Sequence, residues 1–417
     1  MNRLLYNNKN DAMYLIIYKL GNGISSNVWY SIELKNYKKS LKNCKNNFVI
    51  DCKALKILND DSEKEFKKEI QMNELLTYHG IKSDYLNYNL GGFIHENKKI
   101  IINEVMDSSL EKLCETLKFN FDEKYKKNII EQIENSINYV HLCNYIHADL
   151  KLDNFLVCGL NEKQTNILNY AKKYNFNSIF NNNKKKTLNI ENNLNTLIDE
   201  IIEEFNIEYS DLISNSDNYS CENSNDDDNE DDNEDENEDD NNSYESYSTN
   251  ASTFNSDLNE FDKIYDKFHI KKIDIFLNDM EEQKENEIIE IIENNYLSEF
   301  YLNKLKTIKI KLNDFGLIKK PGSLDTINTR CYRSPKNIMG FCCDHTDDLW
   351  AFEMIKYEMY NGKVLIDITK DKNYNVYNNN LLCIKHILNK KKININEFEK
   401  SKRFNSIFSS DKSFLFK

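Results

Sequence analysis

The hydrophobic pattern of the first hundred residues alternates. Tyr14–Leu20 is β-rich and breaks at Gly21-Asn22-Gly23, and Tyr30–Leu34 alternates again, which predicts strand, glycine turn, strand. Further strands are predicted over Asn47–Leu58, 92–94 and 99–105. Between them the spacing turns helical from Ser62, with Phe66, Ile70, Asn73 and Leu76 along one side. A helical region opens at Ser108–Leu117. Asp122–Leu142 is then a long amphipathic helix with Ile129, Ile133, Ile137 and Val140 inward.

After Val157 the regular pattern stops for about 150 residues, far beyond the ~12–15 of an ordinary unstructured loop. Leu160, Ile167, Leu168, Ala171 and Tyr174 form a partial apolar stripe, predicting a short helix within Cys158–Phe180, with further helices over Thr196–Phe205 and Asp274–Leu305. Between these, Ser214–Ser256 is rich in Asn, Asp, Glu and Ser. It cannot bury enough apolar surface to offset its ordering entropy and is expected to be disordered. The strand pattern resumes at Thr307–Leu312, and Asp347–Phe352 starts a helix that runs through Met359.

The 417 residues could hold two or three domains or one unit with an insertion, and composition favours the insertion: 40% hydrophobic and 30% charged, with only 2 Pro and 10 Gly. Asn, Lys and Ile are abundant throughout, as in an AT-rich genome of a large DNA virus or a protist, so scattered Asn carries no functional weight. Glu222–Asp240 holds 13 carboxylates and no Lys or Arg, so it accounts for all but one of the 14 net negative charges. The remainder is near neutral, and no basic field argues for nucleic acid. The acidic run could hold a basic partner, mimic nucleic acid or solvate the insert, and the solvating reading leads. Ser224, ahead of Asn225-Asp226-Asp227-Asp228, suits an acid-directed kinase as a modification site.

Ten cysteines without a C-x-x-C pair suggest free thiols in a reducing compartment. No apolar run approaches the ~20 residues of a membrane span, and the N-terminus lacks a signal-peptide core. The expectation is an intracellular protein of cytoplasm or nucleus, of a host cell if the source is viral. Lys184-Lys185-Lys186 is its one basic cluster of note.

The chemistry concentrates in two stretches. His147-x-Asp149-Leu150-Lys151-x-x-Asn154 sets a carboxylate, an ammonium and a carboxamide within six positions between apolar runs. Far downstream, the alternating Lys309–Leu312 ends in Asp314-Phe315-Gly316. Either motif alone could be an ordinary loop; both in this order are specific. Upstream, Gly21 and Gly23 would let backbone approach phosphate oxygens. Ala54, two positions before Lys56, favours Lys56 over its neighbour Lys53 as the phosphate-side lysine. Glu69 suits a partner for it, with Glu65 and Glu74 as alternatives.

The chain resembles the eukaryotic protein kinases and, within them, the serine/arginine-rich (SR) protein kinases. The resemblance rests on Leu20-Gly21-x-Gly23-x-x-Ser26-x-Val28-Trp29, on Ile146-His147-x-Asp149 with Ala148 in place of Arg, on Thr329-Arg330-x-Tyr332-Arg333-Ser334, and on the placement of a long hydrophilic spacer. It implies an α+β, bilobal fold with a β-rich N-lobe over 1–107 and a mainly helical C-lobe over 108–158 and 307–417, split by an acidic insert over 159–306. It also implies ATP, Mg2+ and transfer of the γ-phosphoryl group to Ser or Thr of protein substrates, Arg-rich ones among them, by a monomer that binds neither nucleic acid nor membrane.

By that resemblance Asp149 accepts the substrate proton, Lys151 neutralises the phosphoryl group, and Thr329 selects Ser/Thr acceptors. Gly21, Asn22, Gly23, Val28, Ala54, Lys56, Glu69, Glu104 and Met106 surround ATP, Asn103 guards the back pocket, and Asn154 and Asp314 hold the metal. Asp348 would bond the catalytic-loop backbone from behind. Ala148 removes the usual sensor of an activation-loop phosphate, which suggests an enzyme needing none. Lys336 stands where the family has Glu, and the 67 residues after Trp350 are short for a helical lobe, so the usual brace and the last helices are expected to be missing. Two other readings stand beside this one: a catalytically impaired kinase-like scaffold that binds basic proteins through the insert, and a small-molecule phosphotransferase, which would lack the Thr329–Pro335 segment.

Overall fold

Six strands come first in the chain: β1 (Leu4–Asn7), β2 (Ala12–Asn22), β3 (Ser26–Lys35), β4 (Val49–Leu58), β5 (Gly91–His95) and β6 (Lys98–Asn103). They form one antiparallel sheet in the order β1-β2-β3-β4-β6-β5. Both of its faces are apolar, which is why the alternation expected of a half-solvated sheet is weak. On one face the sheet rolls over on itself. Tyr14 in β2 stacks on Phe93 in β5 at 5.5 Å although three strands lie between them, and Tyr6 N in β1 donates to His95 Nδ1 at 3.4 Å. The computed structural model describes residues 3–22, 26–43, 48–59, 63–176, 187–207, 304–366 and 395–410, which lie in one folded unit.

A short α1 (Tyr37–Asn43) follows β3, and the other face carries α2 (Glu63–Leu75) at one end. There Gly92 lets the helix approach: a Cβ would sit 2.6 Å from Ile70 Cδ1 and 2.9 Å from Phe66 Cε2. At the far end, two helices from the start of the insert, α5 (Glu162–Lys173) and α6 (Thr187–Glu204), pack against Met13, Leu15, Ile17, Tyr30 and Ile32. The boundary drawn at 159 therefore does not mark an end of the folded core. The apolar spacing of Ile190, Leu194, Leu197, Ile198 and Ile201 gives α6 one continuous stripe, and all five are buried. The acidic run, Ser224, Lys184-Lys185-Lys186 and all but the end of the helix expected over Asp274–Leu305 lie outside the described residues.

The second lobe is built on α3 (Leu110–Thr116), α4 (Glu123–Leu142) and α8 (His345–Asn361), with a short α7 (Pro335–Ile338) and α9 (Phe404–Ile407). Helix α4 starts at an Asp122 N-cap and buries Ile129, Ile133, Ile137 and Val140, the stripe expected from its spacing. A small sheet, β7 (Ser108–Ser109), β8 (Phe155–Val157) and β9 (Ile310–Leu312), faces it. Because β8 and β9 are hydrogen-bonded neighbours, the insert leaves and returns at one place, where Cys158 N donates to Lys309 O at 2.9 Å. Residues 395–410 bring Phe398, Phe404, Ile407 and Phe408 into buried positions, and Arg403 Nη1 donates to Ile338 O at the end of α7. Among the described residues no helix is long and apolar enough to cross a membrane.

Leu197→Ala should lower stability by about 3 kcal/mol, as a buried leucine does, read from denaturant unfolding. A change within about 0.5 kcal/mol, typical of an exposed site, would mean that α6 is not packed as described.

Candidate active site

The catalytic loop is held from below. Asp348, wholly buried near the start of α8, accepts from His147 N at 2.7 Å and Ala148 N at 3.1 Å and meets His141 Nε2 at 3.0 Å. Burial alone would raise its pKa, but these partners outweigh that and hold it ionised. The restraint matters because Ala148 sits at φ +68, a left-handed conformation costly for a residue with a Cβ. His147 Nε2 lies 3.0 Å from Asn313 O, and its ring meets Phe315 edge-on at 5.5 Å. The two sequence motifs are thereby joined.

Above this floor the predicted catalytic residues converge. Thr329 Oγ1 donates to Asp149 Oδ1 at 2.8 Å, Lys151 Nζ lies 3.2 Å from Asp149 Oδ2, and Asn154 Nδ2 donates to Asp149 O at 2.7 Å. In the other lobe Lys56 forms an ion pair with Glu69 and lies 3.4 Å from Asp314 Oδ1. Burial opposes charge on Lys56, yet Asp314 and Glu69 together raise its pKa. Asp314 shows the reverse: burial raises it, while Lys56 and His147 bring the net shift below the ordinary carboxylate value. Two of the alternatives, Lys53 and Glu74, fall away. Lys53 pairs with Asp51 and Glu33 on the opposite face of the strand, and Glu74 is exposed. The side chain of Glu65 lies outside the described residues.

The strands also place the nucleotide-side residues. Val28 stands opposite Lys56, and Ala54 opposite both Tyr30 and Asn103, so Val28, Ala54, Lys56 and Asn103 share a face. Gly21 and Asn22 end β2 and are exposed; Gly23 is outside the described residues. Glu104 turns its carboxylate to Lys311 at 2.9 Å.

Beside Met106 lies a feature that the sequence analysis missed. Gln164 Nε2 donates to Met106 O at 3.0 Å and Asn161 Nδ2 to Asp107 O at 3.2 Å, while Lys304, from the returning end of the insert, pairs with Asp107. Both ends of the insert thus meet at the interlobe connection. The only trace in the sequence is the N-x-x-Q spacing of Asn161 and Gln164, a capping box for α5.

The segment that follows Gly316 is fastened by contacts of its own. Ile146, Ala148, Ile327 and Cys343 form an apolar cluster. Asn328 N donates to Ala148 O at 2.7 Å, Arg333 Nε donates to Ile327 O at 3.0 Å, and Lys319 Nζ pairs with Asp325 at 2.7 Å. Lys336, which cannot make the usual acidic brace, pairs instead with Asp344, the N-cap of α8. Arg403 binds the α7 carbonyl directly. The brace is present with its charges rearranged.

Magnesium suits the donor set. Asn154 spends its amide nitrogen on Asp149 O and Asp149 Oδ2 (3.1 Å), so its carbonyl oxygen and the Asp314 carboxylate are the hard oxygen ligands that would hold the ion.

Under the loop, burial and then the neighbouring His141 push the His345 imidazole down to about 4. The folded protein keeps it neutral where the unfolded chain, at the ordinary 6.5, is protonated. Its contribution to stability is therefore lost as pH falls from about 6.5 towards 4. Asp347 and Glu358, pushed up to about 6 by burial, act in the opposite sense but are common to both proteins in a comparison with His345→Gln. Between pH 7.5 and 5 the Tm of the natural protein should fall further than that of His345→Gln; equal falls would contradict the assignment.

A model of the protein kinase domain matches residues 16–205. Aurora kinase of Saccharomyces cerevisiae is 25% identical over 112 residues, 25% of this chain and 29% of that protein. A casein kinase I homolog of Encephalitozoon cuniculi is 34% identical over 71 residues, 16% of this chain and 23% of that protein. The chain thus spans less than a third of the length of these curated relatives. The solved kinase domain of PF14_0431 superposes with a TM-score of 0.50 at 15% identity, covering 100% of this chain and 81% of that one. The fold is that of a protein kinase domain, and residues 16–205 are similar to that family.

Proposed function

We propose that the chain is an ATP- and magnesium-dependent protein kinase that phosphorylates Ser or Thr, with Arg/Ser-rich proteins as its substrates. The observation that carries the reading is the joint arrangement of Asp149, Lys151 and Thr329 within hydrogen-bonding distance while the Lys56–Glu69 ion pair is formed. Kinase catalysis is largely positioning and electrostatics, and both halves of the machinery are in place.

In the reaction the substrate oxygen bonds to the γ-phosphorus as the bond from that phosphorus to the β-γ bridging oxygen breaks, and the hydroxyl proton passes to Asp149. Thr329 and Asn154 fix the carboxylate on its two oxygens. Lys151 offsets charge on the group in transfer, and Lys56, kept cationic by Glu69 and Asp314, orients the α- and β-phosphates. Asp314 and Asn154 would hold magnesium, which would supply positive charge to the phosphates.

Two further features support the finer reading. The apolar cluster around Ala148 supports activity without loop phosphorylation. Beside Lys151, burial and then Asp153 and Glu115 raise the pKa of Glu111. Carboxylates under such mutual strain gain from an incoming guanidinium. Lys336, the departure that favoured a scaffold, pairs with Asp344 and so keeps α7 tied to α8 as an active lobe requires.

With labelled ATP and magnesium, the protein should phosphorylate an Arg-Ser repeat peptide in preference to a generic basic protein, and Asp149→Asn should lower the rate about a thousand-fold. Preference for the generic protein would remove the SR assignment. No transfer to either, from protein that melts cooperatively, would remove the kinase activity itself.

A further inference from the structure

Lys68 precedes Glu69 on α2, and its Nζ donates to Gly316 O at 2.8 Å. Successive residues on a helix point about 100° apart. Here that divergence lets α2 straddle two elements: Glu69 holds Lys56 on β4, and Lys68 holds the backbone that follows Asp314. The held carbonyl belongs to the single 3-10 turn Phe315–Leu317, too short to satisfy its own oxygens. The residue leading into that turn, Asp314, has φ 58, a left-handed conformation that a non-glycine residue keeps only under outside restraint. One restraint acts on its side chain through Lys56. The other, from Lys68, acts on the backbone two residues on.

We infer that Lys68 is a positioning residue for the metal-binding carboxylate, tying the Asp314-Phe315-Gly316 turn to α2 so that Lys56, Glu69 and Asp314 are set as a unit. The inference rests on the kinase reading for its consequence in catalysis, and on geometry alone for its consequence in the turn. A charge-assisted bond to a carbonyl is stronger than a neutral one, and a lysine that merely coated the surface would leave the turn unaffected.

The test compares Lys68→Met and Lys68→Arg with the natural protein. Without nucleotide or metal, amide hydrogen exchange over residues 314–319 should rise about ten-fold in Lys68→Met, the loss of one charged hydrogen bond. Tm should fall by only a few degrees, and Lys68→Arg should keep protection close to the natural level. In the transfer assay, Lys68→Met should need a higher magnesium concentration for half-maximal rate, and Lys68→Arg should not. Unchanged exchange in Lys68→Met would overturn the inference, as would loss of activity with an unchanged magnesium requirement. If the natural protein transfers no phosphate, the kinase reading fails by itself and the exchange comparison decides the role of Lys68.

Discussion

Everything above the second lobe depends on one buried charge. Asp348 is removed from water at a cost of several kcal/mol, offset by two catalytic-loop amides and by His141. Those amides belong to His147 and Ala148, the latter in a backbone conformation that would not persist unaided. Asp149 follows directly. Its carboxylate therefore inherits its position from a helix about 200 residues further along the chain, and His147 passes the same restraint to the Asp314 turn through Asn313 and Phe315.

From that floor two lines of contact run upward. One passes from Asp314 through Lys56 and Glu69 into α2 and the sheet. The other runs along the interlobe connection, where Gln164, Asn161 and Lys304 fix Met106 and Asp107 from the two ends of the insert. Helices α5 and α6 then cover a sheet face that would otherwise expose Met13, Leu15 and Ile32. The insert is thus, in its first part, a structural layer of the N-lobe, and its two ends act where the lobes join.

Much of this could be read in the sequence because the chemistry is local there. The His147–Asn154 stretch, the Asp314-Phe315-Gly316 turn and the Ala54-x-Lys56 pair are short, and their spacing is dictated by what they hold. The stripes of α4 and α5 could be read for the same reason, whereas the sequence pattern predicts only the second half of α6 as a helix. What could not be read were long-range partners: Asp344 for Lys336, Lys304 for Asp107, and Gln164 for Met106 are set by how elements pack. Compositional bias also hid Asn161 and Gln164 among many solvated Asn and Gln. Lys336 stands out in the sequence as a departure, but its compensation lies in side chains that no local pattern connects.

On the proposed reading the site is held by its own contacts, among them the apolar cluster of Ile146, Ala148, Ile327 and Cys343. The direct measurement is the initial rate of labelled phosphate transfer to an Arg-Ser peptide before and after exhaustive phosphatase treatment, with mass spectrometry to verify an unmodified segment over residues 317–334. The predicted result is the same rate in both. A rate that collapses on dephosphorylation and returns with a phosphate in that segment would contradict self-assembly of the site.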